Sequence, residues 1–282
     1  MVSLPPDEPL AVADGWLAEL GDLDDGSWLR RATATLDASV LAVLEGEATV
    51  AAAPLAARLS GRPARVVATE HEAATAGVRT TPGIPPDALV CDVGAGTVDC
   101  VSADGAAVVA AGGGELVTRA VSLALGIPRA LAERVKRGPA IWVEGPHLAH
   151  EEDGRRVFLE TPARPEAIGR LCVRGDRLNA LGSLVIVTDR LAAEEWRSLR
   201  LALKRGTVGA SIARALRAVP PSATVLLAGG GALDAELVRS LSEQLRDRDP
   251  APVVARSDVA GRFGPRCAVA WGLIMLSSKE KP

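Results

Sequence analysis

Hydrophobic and polar positions along the chain follow two different periods, and the changes of period predict an order of helices and strands. Apolar residues recur at helical spacing over residues 28–44 and 54–59, and a continuous apolar run over 64–68 predicts a buried strand. Thr69 then precedes the small residues of 70–77, which predict a capped helix that packs closely on a neighbour. The chain is therefore predicted to begin with helix, helix, strand and helix.

The segment 89–102 predicts a β-hairpin. Its apolar run stops at Asp92 and turns on Gly94 and Gly96. It resumes with a hydroxyl and a second carboxylate, Asp99. Glycines let backbone N–H groups approach an anion closely, and paired carboxylates can hold hydrated Mg²⁺ or orient a water. This order of residue types indicates a phosphate-binding hairpin, and an ordinary hairpin with a glycine turn is the alternative.

The rest of the chain predicts strands and helices around a β-rich excursion. Scattered Pro, Gly and charged residues over 139–183 leave two strand-like pieces, 156–159 and 170–173. The other predicted strands are 106–111, 185–188, 223–228 and an edge strand at 253–255. The predicted helices are 115–125, 128–137, a long helical region at 192–216, then 234–245 and 267–276.

A second glycine turn follows the predicted strand 223–228. Gly229, Gly230 and Gly231 stand before the next helix, where backbone N–H groups can meet an anion or the edge of a nucleotide ring. Asp234 comes directly after this turn and is interpreted as a helix N-cap rather than as a catalytic group.

Composition and charge restrict the class of protein. The chain has 282 residues, of which 48% are hydrophobic and 24% are charged, and its formal net charge is −3. It can bury a substantial core, and its interspersed charges offer no basic surface for nucleic acid. The apolar stretch 267–276 is far shorter than the roughly 20 residues of a membrane span, and no basic-then-apolar leader opens the chain. We therefore expect a globular, cytoplasmic protein that binds neither nucleic acid nor membrane.

The four cysteines and three histidines show no metal-ligand spacing, so a structural zinc is not expected. Cys91 and Cys100 flank the first glycine turn and can sit on adjacent strands. In a reducing compartment we interpret them as small buried residues. His147 and His150, beside the acidic run 151–153, are interpreted as part of a solvated hairpin tip rather than as a metal site.

The hairpin resembles the second phosphate loop of the actin, Hsp70 and hexokinase ATPase superfamily. Further blocks over 64–276 resemble the large subunit of the reactivating factor for coenzyme B12-dependent diol and glycerol dehydratases, specifically its C-terminal ATPase-like half. These blocks are 70–83, 92–99, 111–126, 132–139 with 143–144, 204–219, 225–237 and 264–272.

The resemblance implies an α/β fold, an RNase H-like ATPase subdomain in which helices flank a mixed sheet with a β-hairpin. It also implies three segments along the chain. An N-terminal arm and helical region occupies 1–63, the ATPase-like domain occupies 64–276 with the inserted β-rich excursion 139–183, and a tail occupies 277–282.

The resemblance further implies the ligands and the site residues. The implied cofactors are ATP or ADP and Mg²⁺. Catalytic roles fall on Asp92, Asp99 and Glu70, and the two aspartates hold Mg²⁺ through water. The resemblance places Gly94, Ala95, Gly96 and Thr97 at the nucleotide phosphates. It places Gly229 and Gly230 at the nucleoside and Gly261 at the far edge of the base pocket, and it makes Arg266 a further nucleotide-binding residue. Two of these residues have structural alternatives, since Glu70 suits the first turn of a helix and Arg266 suits surface ion pairs.

Two departures from the family pattern bear on activity. Residues 1–63 contain no Asp-x-Gly-x-Ser/Thr sequence for a first phosphate loop, and no swivelling domain is visible. Val98 stands where the family loop is expected to carry a hydroxyl. A cleft with one wall would leave a triphosphate partly solvated, so hydrolysis is expected to be slow or absent unless another chain completes the site.

These observations lead to one main hypothesis. The chain is a truncated reactivase-type ATPase-like subunit, a nucleotide-binding and chaperone-like factor that associates with a dehydratase or a companion subunit in a homo- or hetero-oligomer. The alternative is a non-catalytic scaffold or partner-binding protein that retains a degenerate ATPase fold. A small sugar or acetate kinase of the same superfamily is a weaker third reading, because no sugar-binding segment is recognisable.

Overall fold

A computed structural model describes residues 68–174 and 184–279 of the chain. The helices predicted over 28–44 and 54–59, and nearly all of the strand predicted over 64–68, lie outside the described residues. The chain divides into two compact units. Of the described residues, the first unit contains those up to Gly114 and from Ser211 onward, and the second contains those between Glu115 and Ala210.

A five-stranded mixed sheet forms the centre of the first unit. Its strands are β1 (Leu89–Val93), β2 (Thr97–Val101), β3 (Ala107–Ala111), β9 (Thr224–Ala228) and β10 (Val253–Arg256), in the spatial order β10-β9-β1-β2-β3. β1 runs parallel to β9 and antiparallel to β2, and β10 forms one edge. The predicted hairpin, mixed sheet and edge strand are therefore confirmed.

The two strands of the hairpin are buried along their whole length, since every residue of β1 and β2 is buried. One face of the sheet packs on a cluster that includes Val78, Val90, Leu226 and Ala268. Strands covered on both faces read as continuous apolar runs rather than as alternating ones. This explains why the two aspartates stand out so clearly within the apolar hairpin sequence.

Two helices of the first unit cross at small residues. They are α1 (Glu70–Val78) and α7 (Ala268–Lys279). A Cβ atom at Gly77 would overlap the backbone of Ala268, and one at Gly272 would overlap the backbone of Ala73. The sequence prediction that the small residues of 70–77 permit close helix packing is confirmed, and α7 is the helix they pack against.

Thr69 caps α1 as the sequence predicted. Its hydroxyl accepts the Glu72 backbone N–H at 3.4 Å, while the Glu72 carboxylate accepts the Thr69 backbone N–H at 2.8 Å. These reciprocal bonds form a capping box, which satisfies N–H groups that the first turn leaves without helical partners. The hydrogen bond from the Thr69 backbone N–H, together with that from its hydroxyl, lowers the pKa of Glu72.

Replacing Thr69 by Ala is expected to lower the free energy of unfolding by about 1 kcal/mol, because the N-cap acceptor is lost. Since the folded-state pKa of Glu72 is lowered, its contribution is present above the ordinary glutamate pKa and is lost as pH falls through the folded value. Urea denaturation should therefore separate the parent from Glu72→Gln at pH 7 and bring them together in acid. A constant gap across that range would contradict the assignment.

The remaining helical elements of the first unit also follow the sequence. The helix α5 (Ala210–Arg217) precedes β9, and α6 (Ala235–Gln244) lies between β9 and β10. The Asp234 side chain accepts the backbone N–H groups of Glu236 and Leu237 at 3.0 and 3.3 Å, so its interpretation as an N-cap is confirmed. The last helix, α7, ends at Lys279 rather than at the predicted Leu276.

The second unit has an antiparallel sheet of its own. The strands are β4 (Ile141–Gly145), β5 (Leu148–Glu151), β6 (Arg156–Phe158), β7 (Arg170–Arg174) and β8 (Leu184–Thr188), in the order β6-β5-β4-β7-β8. The helices are α2 (Gly114–Leu125), which starts at the boundary, α3 (Arg129–Val135) and α4 (Ala193–Lys204), which continues through a π-helical turn over Arg205–Gly209.

The two strands predicted within 139–183, 156–159 and 170–173, are confirmed as β6 and β7, but the described part of this segment contains two more, β4 and β5. β4 and β5 were missed because each is short and their connection carries Pro146. Strands of this length are stabilised by cross-strand neighbours, here the pairing of β4 with both β5 and β7, rather than by a local pattern.

The interpretation of residues 147–153 as a solvated hairpin tip was wrong for Glu152. Its side chain is only 8% exposed and forms an ion pair with Arg200 of α4. The run of acidic residues suggested a hydrated turn, but a guanidinium distant in sequence removes the cost of burying one of them.

Candidate functional site

The backbone of the β1–β2 hairpin gives the site its shape. The Gly94 N–H donates to the Thr97 carbonyl at 3.0 Å and closes the turn. The carbonyl of Gly94 accepts the Gly114 N–H at 2.9 Å, and the carbonyl of Gly96 accepts the N–H groups of Gly112 and Gly113 at 2.8 and 3.0 Å. The Gly112–Gly114 turn therefore holds both glycine carbonyls of the loop.

These bonds orient the N–H groups that follow each glycine. In a planar trans peptide the carbonyl and the next N–H point in opposite directions. Because the Gly94 and Gly96 carbonyls face the 112–114 turn, the N–H groups of Ala95 and Thr97 are directed away from it. Ala95 is exposed at the tip of the hairpin. Anion-binding backbone loops use N–H groups that point away from neighbouring carbonyls, and the Ala95 N–H at the tip meets that condition.

Asp92 and Asp99 form a cross-strand pair below this loop. They are Cα partners in the β1–β2 register, so their side chains extend on the same face of the sheet. Each residue is only 7% exposed. Two like charges at facing positions repel each other, and a hydrated divalent cation beside them would offset that repulsion. The donor set therefore fits Mg²⁺, which uses one or two carboxylates and completes its shell with water and phosphate oxygens.

Gly229 brings the second glycine turn against the acidic pair. Asp92 is the register partner of Ala228, so Gly229 directly follows the point where β1 and β9 run side by side. A Cβ atom at Gly229 would overlap the Asp92 carboxylate and lie 2.6 Å from the Val93 carbonyl oxygen. Its φ of +77° is also in the region that favours glycine. Only glycine lets the backbone approach the carboxylate this closely.

The other predicted site residues occupy the loops around this centre. The Gly229 N–H donates to the Pro265 carbonyl at 3.0 Å, which places the adjacent Arg266, an exposed residue, beside the second glycine turn. Gly230 is in that turn. Gly261 lies in the loop after β10, where its contact is with Pro82, as a Cβ built on it would be 3.1 Å from the Pro82 Cγ.

Glu70 is the first residue of α1 and is exposed. This location suits the macrodipole-stabilised alternative. The structure therefore brings the two aspartates together with both glycine turns. The catalytic role of Glu70 and the base-pocket role of Gly261 stay predictions.

Gly113 is the positioning residue that the sequence reasoning missed. A Cβ atom there would overlap the Gly94 carbonyl oxygen and lie 2.9 Å from the Ala95 carbonyl carbon. Three consecutive glycines after β3 were the available signal, but they directly precede the predicted helix 115–125 and nothing local marks a contact with the hairpin. Their second role depends on contact with the hairpin, which the local sequence does not reveal.

Replacing Gly113 by Ala is expected to push the hairpin loop out of place. We expect the free energy of unfolding to fall by about 1–3 kcal/mol, as for other overpacked positions. Gly96→Ala is the matched control, because a Cβ at Gly96 would meet nothing within 4 Å. That variant should differ from the parent by less than about 0.5 kcal/mol. Urea denaturation of both variants measures this difference, and equal destabilisation would contradict the backing role of Gly113.

Comparison with known proteins identifies the family of this chain. Residues 31–277 match the family described as diol dehydratase reactivase ATPase-like domain. The chain belongs to this family. It is 36% identical over 224 residues to the diol dehydratase-reactivating factor large subunit of Klebsiella michiganensis, a match that covers 75% of this chain and 35% of that protein.

Solved reactivase structures confirm the fold. The nucleotide-free diol dehydratase-reactivating factor has 31% sequence identity and a TM-score of 0.70, over 84% of this chain and 40% of the other. A glycerol dehydratase reactivase has 30% identity and a TM-score of 0.69, over 86% and 40% of the two chains. The α/β fold with a mixed sheet and the recognition of this family from sequence are thus both confirmed. The chain spans about a third of the length of the curated relatives it matches.

Two further properties apply to the described residues alone. No helix within 68–174 and 184–279 is long and apolar enough to cross a bilayer. Across the same ranges, no cluster of three or more His, Cys, Asp or Glu side chains forms a metal site. Within these ranges, a cation at the hairpin would therefore be held by the Asp92–Asp99 pair without a third His, Cys, Asp or Glu ligand.

Proposed function

We propose that this chain binds the magnesium complex of ATP or ADP at the β1–β2 hairpin and acts as the nucleotide-binding part of a reactivating factor for a coenzyme B12-dependent diol or glycerol dehydratase. The observation that carries the proposal is the meeting of the Asp92–Asp99 pair with two glycine turns where β1 and β9 both end. In open α/β sheets, ligands bind beyond the carboxyl ends of the parallel strands.

The room around Gly96 supports phosphate binding at this edge. Its backbone is outside the left-handed region, and a Cβ there would meet no protein atom within 4 Å. The fold itself therefore does not need glycine at this position. A bound phosphate approaching the loop N–H groups would need it, because a methyl group would occupy the same space.

Each residue of the site has a defined task in this proposal. The Ala95 and Thr97 N–H groups would donate to phosphate oxygens, and Asp92 and Asp99 would hold Mg²⁺ through water. Bound Mg²⁺ would supply neutralisation of the phosphate charge. Gly229 and Gly230 line the nucleoside side, Gly261 in the loop after β10 forms the far edge of the base pocket, and Arg266 is a further nucleotide contact. Glu70 is the third proposed catalytic carboxylate.

The family of this chain supports a choice of partner. Relatives are named as large subunits of reactivating factors, which supports a companion subunit and a dehydratase as the binding partners. A nucleotide changes such an association only if it binds the free and associated states with different affinity. Tagged chain should accordingly retain dehydratase subunits to different extents in Mg-ATP and Mg-ADP. Equal retention in both would contradict nucleotide control.

Isothermal titration of Mg-ATP and Mg-ADP tests the site itself. We expect binding to the parent chain and at least a tenfold loss of affinity in Asp92→Asn, which corresponds to about 1.4 kcal/mol. Asp87→Asn is the matched control, since this exposed carboxylate lies shortly before β1 and outside the pair. It should bind as the parent does.

Phosphate release measured in the same samples reports turnover, which we expect to be slow. If the parent chain binds no nucleotide, the titration is repeated with the companion subunit or dehydratase present. Absence of binding there as well would contradict the proposal and favour a scaffold that retains the fold without the ligand.

A further inference from the structure

Two thiols face each other on the opposite side of the hairpin from the acidic pair. Cys91 and Cys100 are Cα partners in the β1–β2 register, each one residue from an aspartate of the site. Successive side chains along a strand point to opposite faces, so the thiols lie on the other face of the sheet. Both residues are fully buried, which confirms their prediction as small buried residues, and their Sγ atoms are 2.6 Å apart.

The register places these cysteines where a cross-strand disulfide fits. The Gly94 N–H to Thr97 carbonyl bond makes those two residues a hydrogen-bonded pair. Hydrogen-bonded and non-hydrogen-bonded pairs alternate along an antiparallel ladder, so Cys91 and Cys100 form a non-hydrogen-bonded pair. Cα atoms in such pairs are about 4.5 Å apart. Disulfides span Cα distances of about 4.4–6.8 Å, so the bond requires no new strand pairing.

We propose that Cys91 and Cys100 form an intramolecular disulfide when the chain meets a disulfide oxidant, and that this bond staples the base of the phosphate hairpin. The thiolate of one cysteine attacks a sulfur of the oxidant and releases one thiolate. The second cysteine thiolate then attacks the mixed disulfide and releases the other. The two cysteines lose two protons and two electrons, and the oxidant becomes two thiols.

Burial controls the rate of this reaction. Both thiols are fully buried in the sheet, so a disulfide oxidant reaches them only when the hairpin opens locally. Oxidation should therefore accelerate in urea concentrations below the unfolding transition.

The other cysteines of the described residues serve as internal references. Cys172 on β7 has Ile141 and Ile186 as its cross-strand neighbours, so no thiol faces it in the sheet. Burial raises its pKa to about 11. Cys267 is partly exposed beside the start of α7 and is the more accessible thiol.

Oxidised glutathione is the probe for this inference. The reduced full chain is incubated with it at pH 8, with and without sub-denaturing urea, then alkylated, digested and analysed by mass spectrometry. We expect a peptide pair joined through Cys91 and Cys100. We also expect the melting temperature of the oxidised chain to rise by about 5 °C and to return on reduction, because a short closed segment limits the unfolded state.

Two variants make the result specific. Cys100→Ser should lose both the linked peptides and the rise in melting temperature, whereas Cys172→Ser should keep both. Recovery of Cys91 and Cys100 as alkylated thiols in both conditions would overturn the inference, as would their linkage only to Cys172 or Cys267. Disulfide formation needs no nucleotide, so this result is independent of the titration with Mg-ATP.

Discussion

Replacing Arg200 by Met is expected to lower the free energy of unfolding by about 3–5 kcal/mol, because it leaves a buried carboxylate without its cation. The Arg200 guanidinium donates to both oxygens of Glu152, at 2.5 and 2.8 Å, and its side chain is 2% exposed. The same carboxylate accepts the Ala140 N–H at 2.7 Å, and Arg200 also donates to the Gly138 carbonyl at 3.2 Å. Urea denaturation followed by tryptophan fluorescence measures the loss.

A surface pair in the same unit provides the control. Arg129 donates to both oxygens of Glu115 in a similar bidentate geometry, but its side chain is 53% exposed. Arg129→Met should cost less than about 1 kcal/mol, since water screens such a pair. The double variant Arg200→Met/Glu152→Leu should recover part of the lost stability by removing the uncompensated charge. Equal effects of the two single arginine variants would refute the buried-pair argument.

Replacing Gly272 by Ala is expected to force α1 and α7 apart and to cost about 3 kcal/mol, the upper end for overpacked positions. The added Cβ would overlap the Ala73 carbonyl oxygen and lie 2.6 Å from its carbonyl carbon. Backbone atoms cannot move aside as a flexible side chain can. The contact therefore has to open along the helix crossing, and the loss is measured by urea denaturation.

The same variant should weaken the nucleotide site from a distance. Val78 and Ala268, on or beside the crossing, pack against Val90 and Ala228 of the strands that carry Asp92 and precede Gly229. Gly206→Ala is the control, because a Cβ there meets nothing within 4 Å. It should leave both unfolding and nucleotide binding as in the parent. Loss of stability in Gly206→Ala equal to that in Gly272→Ala would contradict the close-crossing explanation.

Much of the fold was predictable because its signals are local. The cap at Thr69, the apolar strands β1, β2 and β9, and the cap at Asp234 each depend on residues within a few positions of one another. The strands of the β-rich excursion were only partly predicted. β4 and β5 are too short to carry a period of their own, and their pairing with each other and with β7 stabilises them.

The candidate site was also predicted only in its local features. The residue types of the hairpin identified a phosphate loop, and their order along the chain identified the family. The sequence did not indicate that Gly113 holds the loop carbonyls or that Glu152 would be buried against Arg200. Neither feature has a local signature, because each is a contact between segments that meet only in the folded chain.

By itself, the sequence determined the chemistry available to this protein: two carboxylates one strand apart, glycines where a backbone must approach an anion, and an aliphatic chain able to bury them. The tertiary structure decided which of these groups meet. Parallel pairing of β1 with β9 sets Gly229 against Asp92, and antiparallel pairing with β2 sets Asp92 opposite Asp99 and Cys91 opposite Cys100. Strand register fixes these contacts, and the free energy that fixes the register comes from burying the whole sheet rather than from the site residues.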